Sequence, residues 1–343
     1  MGDPFLRRLN DMLAGHDTPA EHIDALILPL DQLIALGPLA RPGSNDTLTR
    51  WRALYRVAGC DLALIKLYEG HTDALAIMAE LGVTPDAPDE ARWAMWAAEP
   101  PQARVHVDDG HVDSANAAQV TLTGTKAWCS GAPIVTHALM TVWQDDQQRL
   151  AAVAMDQPGV SVTDRGWQAV GMQATASVDV DLDHAHAKLI GPANAYLDRP
   201  GFWQGGAGIA ACWLGGAHAL ARALQAKASN RQDDALLMAQ LGHVDAALHA
   251  GLAGLRDAAA TIDAAPSENS QRLTLRTRAL VEHSVNQIIT HCGRALGAAP
   301  FCRDRRFARM MADLPVYLRQ SHAERDLAAL GRLCTETESG WQP

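Results

Sequence analysis

The hydrophobic period of this sequence changes twice, and that double change constrains the fold more than any single residue. From the start to about residue 83, apolar residues recur at three- and four-residue spacing, as in Ala20 to Ile27 and in Leu48, Trp51, Leu54 and Tyr55. This is the stripe of an amphipathic helix. A helix break is expected near Gly59, and His71-Thr72-Asp73 reads as the opening of a further helix. Val83 to Asp89 is a linker by composition. From Arg92 to about Ile190 the period becomes strand-like, with strands predicted at Ala103–Val107, Val120–Lys126, Ala138–Trp143, Leu150–Met155 and Ser177–Leu182. Asp108-Asp109-Gly110 suits a hairpin turn. After Pro200 the helical period returns in Ala207–Ala228, Ala235–Ala264 and Gln271–Leu296, with one or two more helices between Asp304 and Leu330, where Pro315 restricts the backbone. The expectation is an α+β multidomain chain. It has an N-terminal helical domain over 1–90, a middle antiparallel β domain over 91–198 and a C-terminal helical bundle over 199–343.

Charge and cysteine usage narrow the partners. A formal net charge of −10 argues against a general nucleic-acid partner. The six cysteines form no CxxC pair and no zinc-finger spacing, so they read as reduced thiols of a cytoplasmic protein. The stretch MGDPFLRRLNDMLAG has no long apolar run, and nothing approaches the roughly 18–20 apolar residues of a membrane helix.

Val120 to Thr136 carries the densest chemistry. It begins as an alternating strand that Gly124 breaks or bulges. If the strand continues, Trp128 and Ser130 point to one face. An indole beside a hydroxyl suits a flat heteroaromatic ligand with a polar edge; the other reading is a half-buried strand with Trp128 in a core. Glu69 and His71 are two apart, so on a helix they do not face together, and they read as a polar helix end or turn. His184 and His186, beside Asp179 and Asp181, lack a third metal ligand and read as a solvated strand end. Cys302 to Arg306 with Arg309 is a basic turn, open to a phosphate or to a role as a helix start. Ser130, His322 and Asp313 make a hydrolytic triad only on paper, because no G-x-S-x-G elbow is present.

The element order and a series of segments resemble the acyl-CoA dehydrogenase family. Ala98-Glu99-Pro100 resembles the start of its T-E-P flavin loop. Leu122 to Gly131 resembles L-x-G-x-K-x-W/F-I-T/S-N, Pro158-Gly159-Val160 the P-G-V turn, and Gly171 to Val178 the G-M-R-x-S segment. Asp183 to Gly191 resembles the exit into the bundle. The resemblance implies a four-helix bundle at the C-terminus and FAD as cofactor. Trp128 would lie against the isoalloxazine, Ser130 would donate toward N5, and Ala97 and Ala98 would offer backbone groups to the pyrimidine edge. It further implies Arg231 and Gly293 on the adenosine side, an acyl-CoA or carrier-bound acyl substrate, and a homodimer or homotetramer.

The departures bear on mechanism. Dehydrogenation needs a carboxylate for the α proton beside a thioester. The family's Y-E-G position reads Gln320-Ser321-His322, so Ser321 stands where the base is expected. The alternative position on the first bundle helix, Phe202 to Gly206, has no carboxylate, and Glu324 is the remaining candidate. Pro101 to Arg104 replaces small residues of the flavin loop, and Asn230 to Asp234 keeps Arg231 but adds two acids. Three readings follow: α,β-dehydrogenation of an acyl thioester by a flavin-dependent oxidoreductase, a flavin-dependent monooxygenase on the same fold, or an inactive interaction or structural subunit. Fold resemblance alone does not choose among them.

Overall fold

The computed structural model describes residues 3–16, 19–108 and 119–336. In chain order the elements are α1 (Pro4–Leu13), α2 (Ile27–Ala35), α3 (Thr47–Ala58), α4 (Leu62–Glu80), β1 (Trp93–Trp96), β2 (Val105–Val107), β3 (Gln119–Cys129), β4 (His137–Gln144), β5 (Gln147–Ala154), β6 (Val160–Val162) and β7 (Val178–Ile190). The remaining helices are α5 (Ala195–Asp198), α6 (Pro200–Ala228), α7 (Ala235–Ala264), α8 (Gln271–Leu296), α9 (Ala298–Arg303), α10 (Arg305–Tyr317) and α11 (Glu324–Glu336). The α+β order of helices, strands and helices is the one the period predicts. The Asp109-Gly110 turn lies outside the described residues, although β2 and β3, which flank it, do pair antiparallel. Among the described residues no helix is long and apolar enough to cross a membrane.

The chain divides into two compact units. The first comprises α1, Ala20–Arg41 and Ala63–Phe202, and the second comprises mainly Pro42–Leu62 and the chain from Trp203. In the first unit, strands run in the order β1-β4-β2-β3-β7-β5, and β5 pairs back onto β4, so the sheet closes into a barrel. Most ladders are antiparallel, but β1 and β2 both run parallel to β4, a departure from the all-antiparallel expectation. β4 explains the closure chemically. Ala138, Met140 and Val142 point into the barrel core, while Leu139 joins Ile77, Met78 and Trp93 against α4. A strand buried on both faces needs the near-continuous apolar run that His137–Gln144 supplies.

Two helical expectations change. α4 runs unbroken through His71, so no new helix opens there. Glu69 and His71 are buried inside that helix rather than set at a polar end. His71 Nδ1 accepts from the Trp93 backbone N–H at 3.2 Å, and burial holds its pKa at about 4. His184 and His186 likewise sit within β7, not at its end.

The second unit is built on close helix packing. A Cβ added at Gly215 of α6 would meet the Tyr55 carbonyl of α3 at 2.2 Å. Only glycine permits that approach. α7 and α8 form the long antiparallel pair of this unit.

Candidate functional site

β3 does not run as a regular strand through Trp128 and Ser130, so simple alternation does not set the direction of these side chains. Pairing between β3 and β7 slips twice, once between Leu122 and Gly124 and once between Lys126 and Cys129. At the first slip Gly124 has φ +133, and a Cβ there would meet the Arg104 carbonyl at 2.2 Å. At the second, Trp128 itself takes φ +57. A β-bulge re-aims the side chains it contains. Cys129 therefore points into the barrel core, fully buried, with its thiol pKa raised by burial. Trp128 is turned outward and 52% exposed, so it is not a core residue.

Backbone strain clusters around this point. Met172 and Ala176, which flank the short turn Gln173–Thr175, have φ of +59 and +42. Neither is glycine, and such conformations persist only where surrounding structure holds them. The turn is tied to the bulge by the Gly131 N–H, which donates to the Thr175 carbonyl at 2.7 Å. From the other side, the Trp96 indole N–H donates to the Ser130 carbonyl at 3.1 Å. Ser130 Oγ meets Ser177 Oγ at 2.7 Å, Ser177 Oγ meets Thr175 Oγ1 at 2.8 Å, and Thr175 Oγ1 donates to the Met172 carbonyl at 2.7 Å. Thr175 and Ser177 are buried, and Ser130 is half-buried.

Beside this lies an ionic anchor. Lys126, fully buried in β3, reaches the Thr141 carbonyl at 2.7 Å, Thr141 Oγ1 at 2.8 Å and Glu99 Oε1 at 3.4 Å. Glu99 also accepts from Thr141 and from the Trp143 indole at 3.0 Å. Burial raises the Glu99 pKa, but the bonds from Thr141, Lys126 and Trp143 outweigh it and leave the carboxyl below its usual range. Burial pushes Lys126 down to about 8 against the pull of Glu99. This pair fixes the loop bearing Ala97 and Ala98, both half-buried, to the barrel wall.

In the second unit, Ser321 is buried and donates its hydroxyl to Glu282 Oε2, while Glu282 Oε1 accepts from Arg319 at 3.2 Å. Gln204 is held by the Pro266 carbonyl at 2.7 Å. Glu324 is exposed in the first turn of α11. Arg231 pairs with Asp234 at 3.1 Å, and Asp234 caps α7 by accepting from the Leu237 N–H. Gly293 lies within α8, where an added Cβ would make only ordinary contacts with Phe301 and Met311 at 3.6 and 3.7 Å. Asp304 caps α10, so the basic run near Cys302 is a helix start. His184 pairs with Asp108 and Asp181 with Arg165, and no metal-binding group of three occurs among the described residues. The paper triad is also dispersed in its bonding, with Ser130 on Ser177 and His322 on Asp326.

The residues missed by sequence are Thr175, Ser177 and Glu282. Thr-x-Ser after a Gly-Met pair was a usable signal for the first two. Nothing in the sequence ties Glu282 to Ser321, which lies 39 residues later, beyond α9 and α10.

The fold places the chain among known architectures: it has the acyl-CoA dehydrogenase fold. The solved structure of KijD3 in complex with FMN and dTDP-3-amino-2,3,6-trideoxy-4-keto-3-methyl-D-glucose is similar, with a TM-score of 0.78 at 20% identity, covering 100% of this chain and 96% of that one. FMN-bound TdsC from Paenibacillus sp. A11-2 gives 0.80 at 15% identity, covering 98% of each chain. Methanesulfinate monooxygenase MsuC from Pseudomonas fluorescens gives 0.78 at 16%, again covering 98% of each. No family model and no curated protein sequence matches the chain.

Proposed function

We propose that this chain is a flavin-dependent oxidoreductase that takes FMN and oxygenates a small organic substrate. The observation that carries the choice of reaction is Ser321. It occupies the position where the resemblance implies a carboxylate base, and the nearby Glu282 carboxylate has one oxygen on Ser321 and the other on Arg319. An acyl thioester loses its α proton only to a positioned base, whereas oxygenation requires none there.

The first unit fits the ring half of a flavin. The half-exposed Trp128 indole offers a flat face, Ser130 offers a hydroxyl at its edge, and the Glu99–Lys126 anchor holds the Ala97-Ala98 backbone in place. Arg231, which the family resemblance assigns to the adenosine side, is already paired with Asp234, the residue that caps α7. This supports FMN over the FAD that the family resemblance implies, in keeping with the FMN named for KijD3 and TdsC. When bound, a reduced flavin supplies two electrons to dioxygen, so that one oxygen atom enters the substrate and the other leaves as water. Trp128 would orient the ring, and Ser130 would set the hydrogen bond at its central nitrogen. The free thiols agree with a reducing, cytoplasmic setting. A homodimer or homotetramer belongs to the same proposal and is read by light scattering.

The test is direct. The protein is titrated with FMN, and the loaded protein is then mixed anaerobically with a series of straight-chain acyl-CoAs. Retention of the yellow colour is expected, and bleaching overturns oxygenation in favour of dehydrogenation. Trp128→Ala is expected to weaken FMN binding about tenfold, the scale of one lost aromatic stack. Unchanged occupancy removes Trp128 from the site, and absence of flavin binding by the native protein supports the structural-subunit reading.

A further inference from the structure

The three hydroxyls beside the bulge form a chain whose direction is fixed by its buried end. Each hydroxyl has one hydrogen to give. Thr175 gives its hydrogen to the Met172 carbonyl, which can only accept. The 2.8 Å contact between Thr175 Oγ1 and Ser177 Oγ then needs the hydrogen of Ser177. The 2.7 Å contact between Ser177 Oγ and Ser130 Oγ in turn needs the hydrogen of Ser130. The opposite order leaves two buried oxygens facing each other with no hydrogen between them, at a distance where lone pairs repel. The polarity runs from Ser130 inward. Ser130 Oγ is therefore left with lone pairs, and no hydrogen, toward the outer, half-exposed side.

We propose that Ser177 and Thr175 are positioning residues that set the Ser130 hydroxyl as a hydrogen-bond acceptor toward its ligand. The inference rests on the flavin reading given above. It differs from the donor role that the family resemblance implies for Ser130. An oxidised flavin presents a bare nitrogen at N5 and needs a donor. A reduced flavin carries a hydrogen on N5 and needs an acceptor. The wired hydroxyl chain matches the second state and mismatches the first, so the site discriminates the redox state of the ring through two buried residues behind Ser130. One such matched bond is worth on the order of tenfold in affinity. The same factor equals an upward shift of about 30 mV in the two-electron potential of the bound flavin.

Thr175→Val tests the wiring rather than the contact. It keeps the shape of the side chain, and the Met172 carbonyl still accepts the residue 175 backbone N–H, a 3.0 Å bond in this structure. Without the Thr175 hydroxyl, Ser177 is free to donate to Ser130, and Ser130 to donate outward. Dissociation constants are measured for FMN in air and for FMN photoreduced under argon, using tryptophan quenching. The native protein is expected to bind reduced FMN about tenfold more tightly, Thr175→Val to bring the ratio to one or below, and Thr175→Ser to restore it. Ser177→Ala is the second variant, a small buried truncation that cuts the chain one link earlier and is expected to lower the ratio likewise. Flavin binding with the same ratio in the native protein and in both variants overturns the wiring while leaving the flavin reading intact. No binding of either redox form by the native protein overturns the flavin reading itself.

Discussion

Lys126 offers a quantitative check on how the loop at Ala97-Ala98 is held. Its ammonium is buried against the Thr141 carbonyl and hydroxyl and lies 3.4 Å from Glu99. Burial lowers its pKa from 10.5 to about 8 in the folded protein. The native state thus binds this proton less tightly than the unfolded chain does. Below the folded pKa the full cost of burying the charge is present. As pH rises from about 8 toward 10.5 the unfolded chain carries the extra proton, so stability increases with pH across that window. The total is about 3 kcal/mol, of which roughly 2–3 kcal/mol falls between pH 7 and pH 10. Lys126→Met has no proton to lose. The assay is urea unfolding of the native protein and of Lys126→Met at pH 7, 8, 9 and 10, with the difference between them plotted against pH. Other titrating groups are common to both and cancel. The native-minus-variant stability is expected to climb by roughly 2–3 kcal/mol. Glu99→Gln removes the countercharge and is expected to move the onset of the climb to lower pH. A difference that is flat or falls with pH refutes the claim that a buried charge anchors this loop.

Two further outcomes follow from the same logic. His71, held neutral at a pKa of about 4 by burial, makes the fold lose stability as pH falls from 6.5 toward 4, because only the unfolded chain takes up the proton there. His71→Phe is expected to flatten that acid limb in urea titrations, and an unchanged limb counts against it. Gly215→Ala drives a methyl into the Tyr55 carbonyl and is expected to cost about 2–3 kcal/mol, read as a fall in Tm; an unchanged Tm contradicts the close approach of α6 to α3.

The sequence made the layout legible because strand and helix periods are local properties. The alternation at Val178–Leu182 and the helical stripes after Pro200 needed no partner to be read. The details at the site are not local. A tryptophan at φ +57 carries no compositional mark of a bulge, and without the bulge the alternation rule sends Cys129 and Trp128 to the wrong faces. His71-Thr72-Asp73 has the composition of a helix start, yet α4 passes straight through, since the packing of Ala74, Ile77 and Met78 on Trp93 outweighs that signal. The contact of Ser130 with Ser177 joins positions 47 residues apart, and only the β3–β7 ladder brings them together.

That ladder also dictates when the barrel can exist. β3 finds its main partner about fifty to seventy residues downstream, and β5 is locked between β4 and β7. A growing chain therefore holds the β4–β5 hairpin early but lacks the closing strand until Ile190 has been made. Until then β3 and β5 present open edges of the kind that invite pairing with other chains. Long-range closure of this sort is slow. During synthesis the interval between Cys129 and Ile190 is thus the stretch in which this protein is most exposed to misassembly, and a ribosome pause inside it would lengthen that exposure.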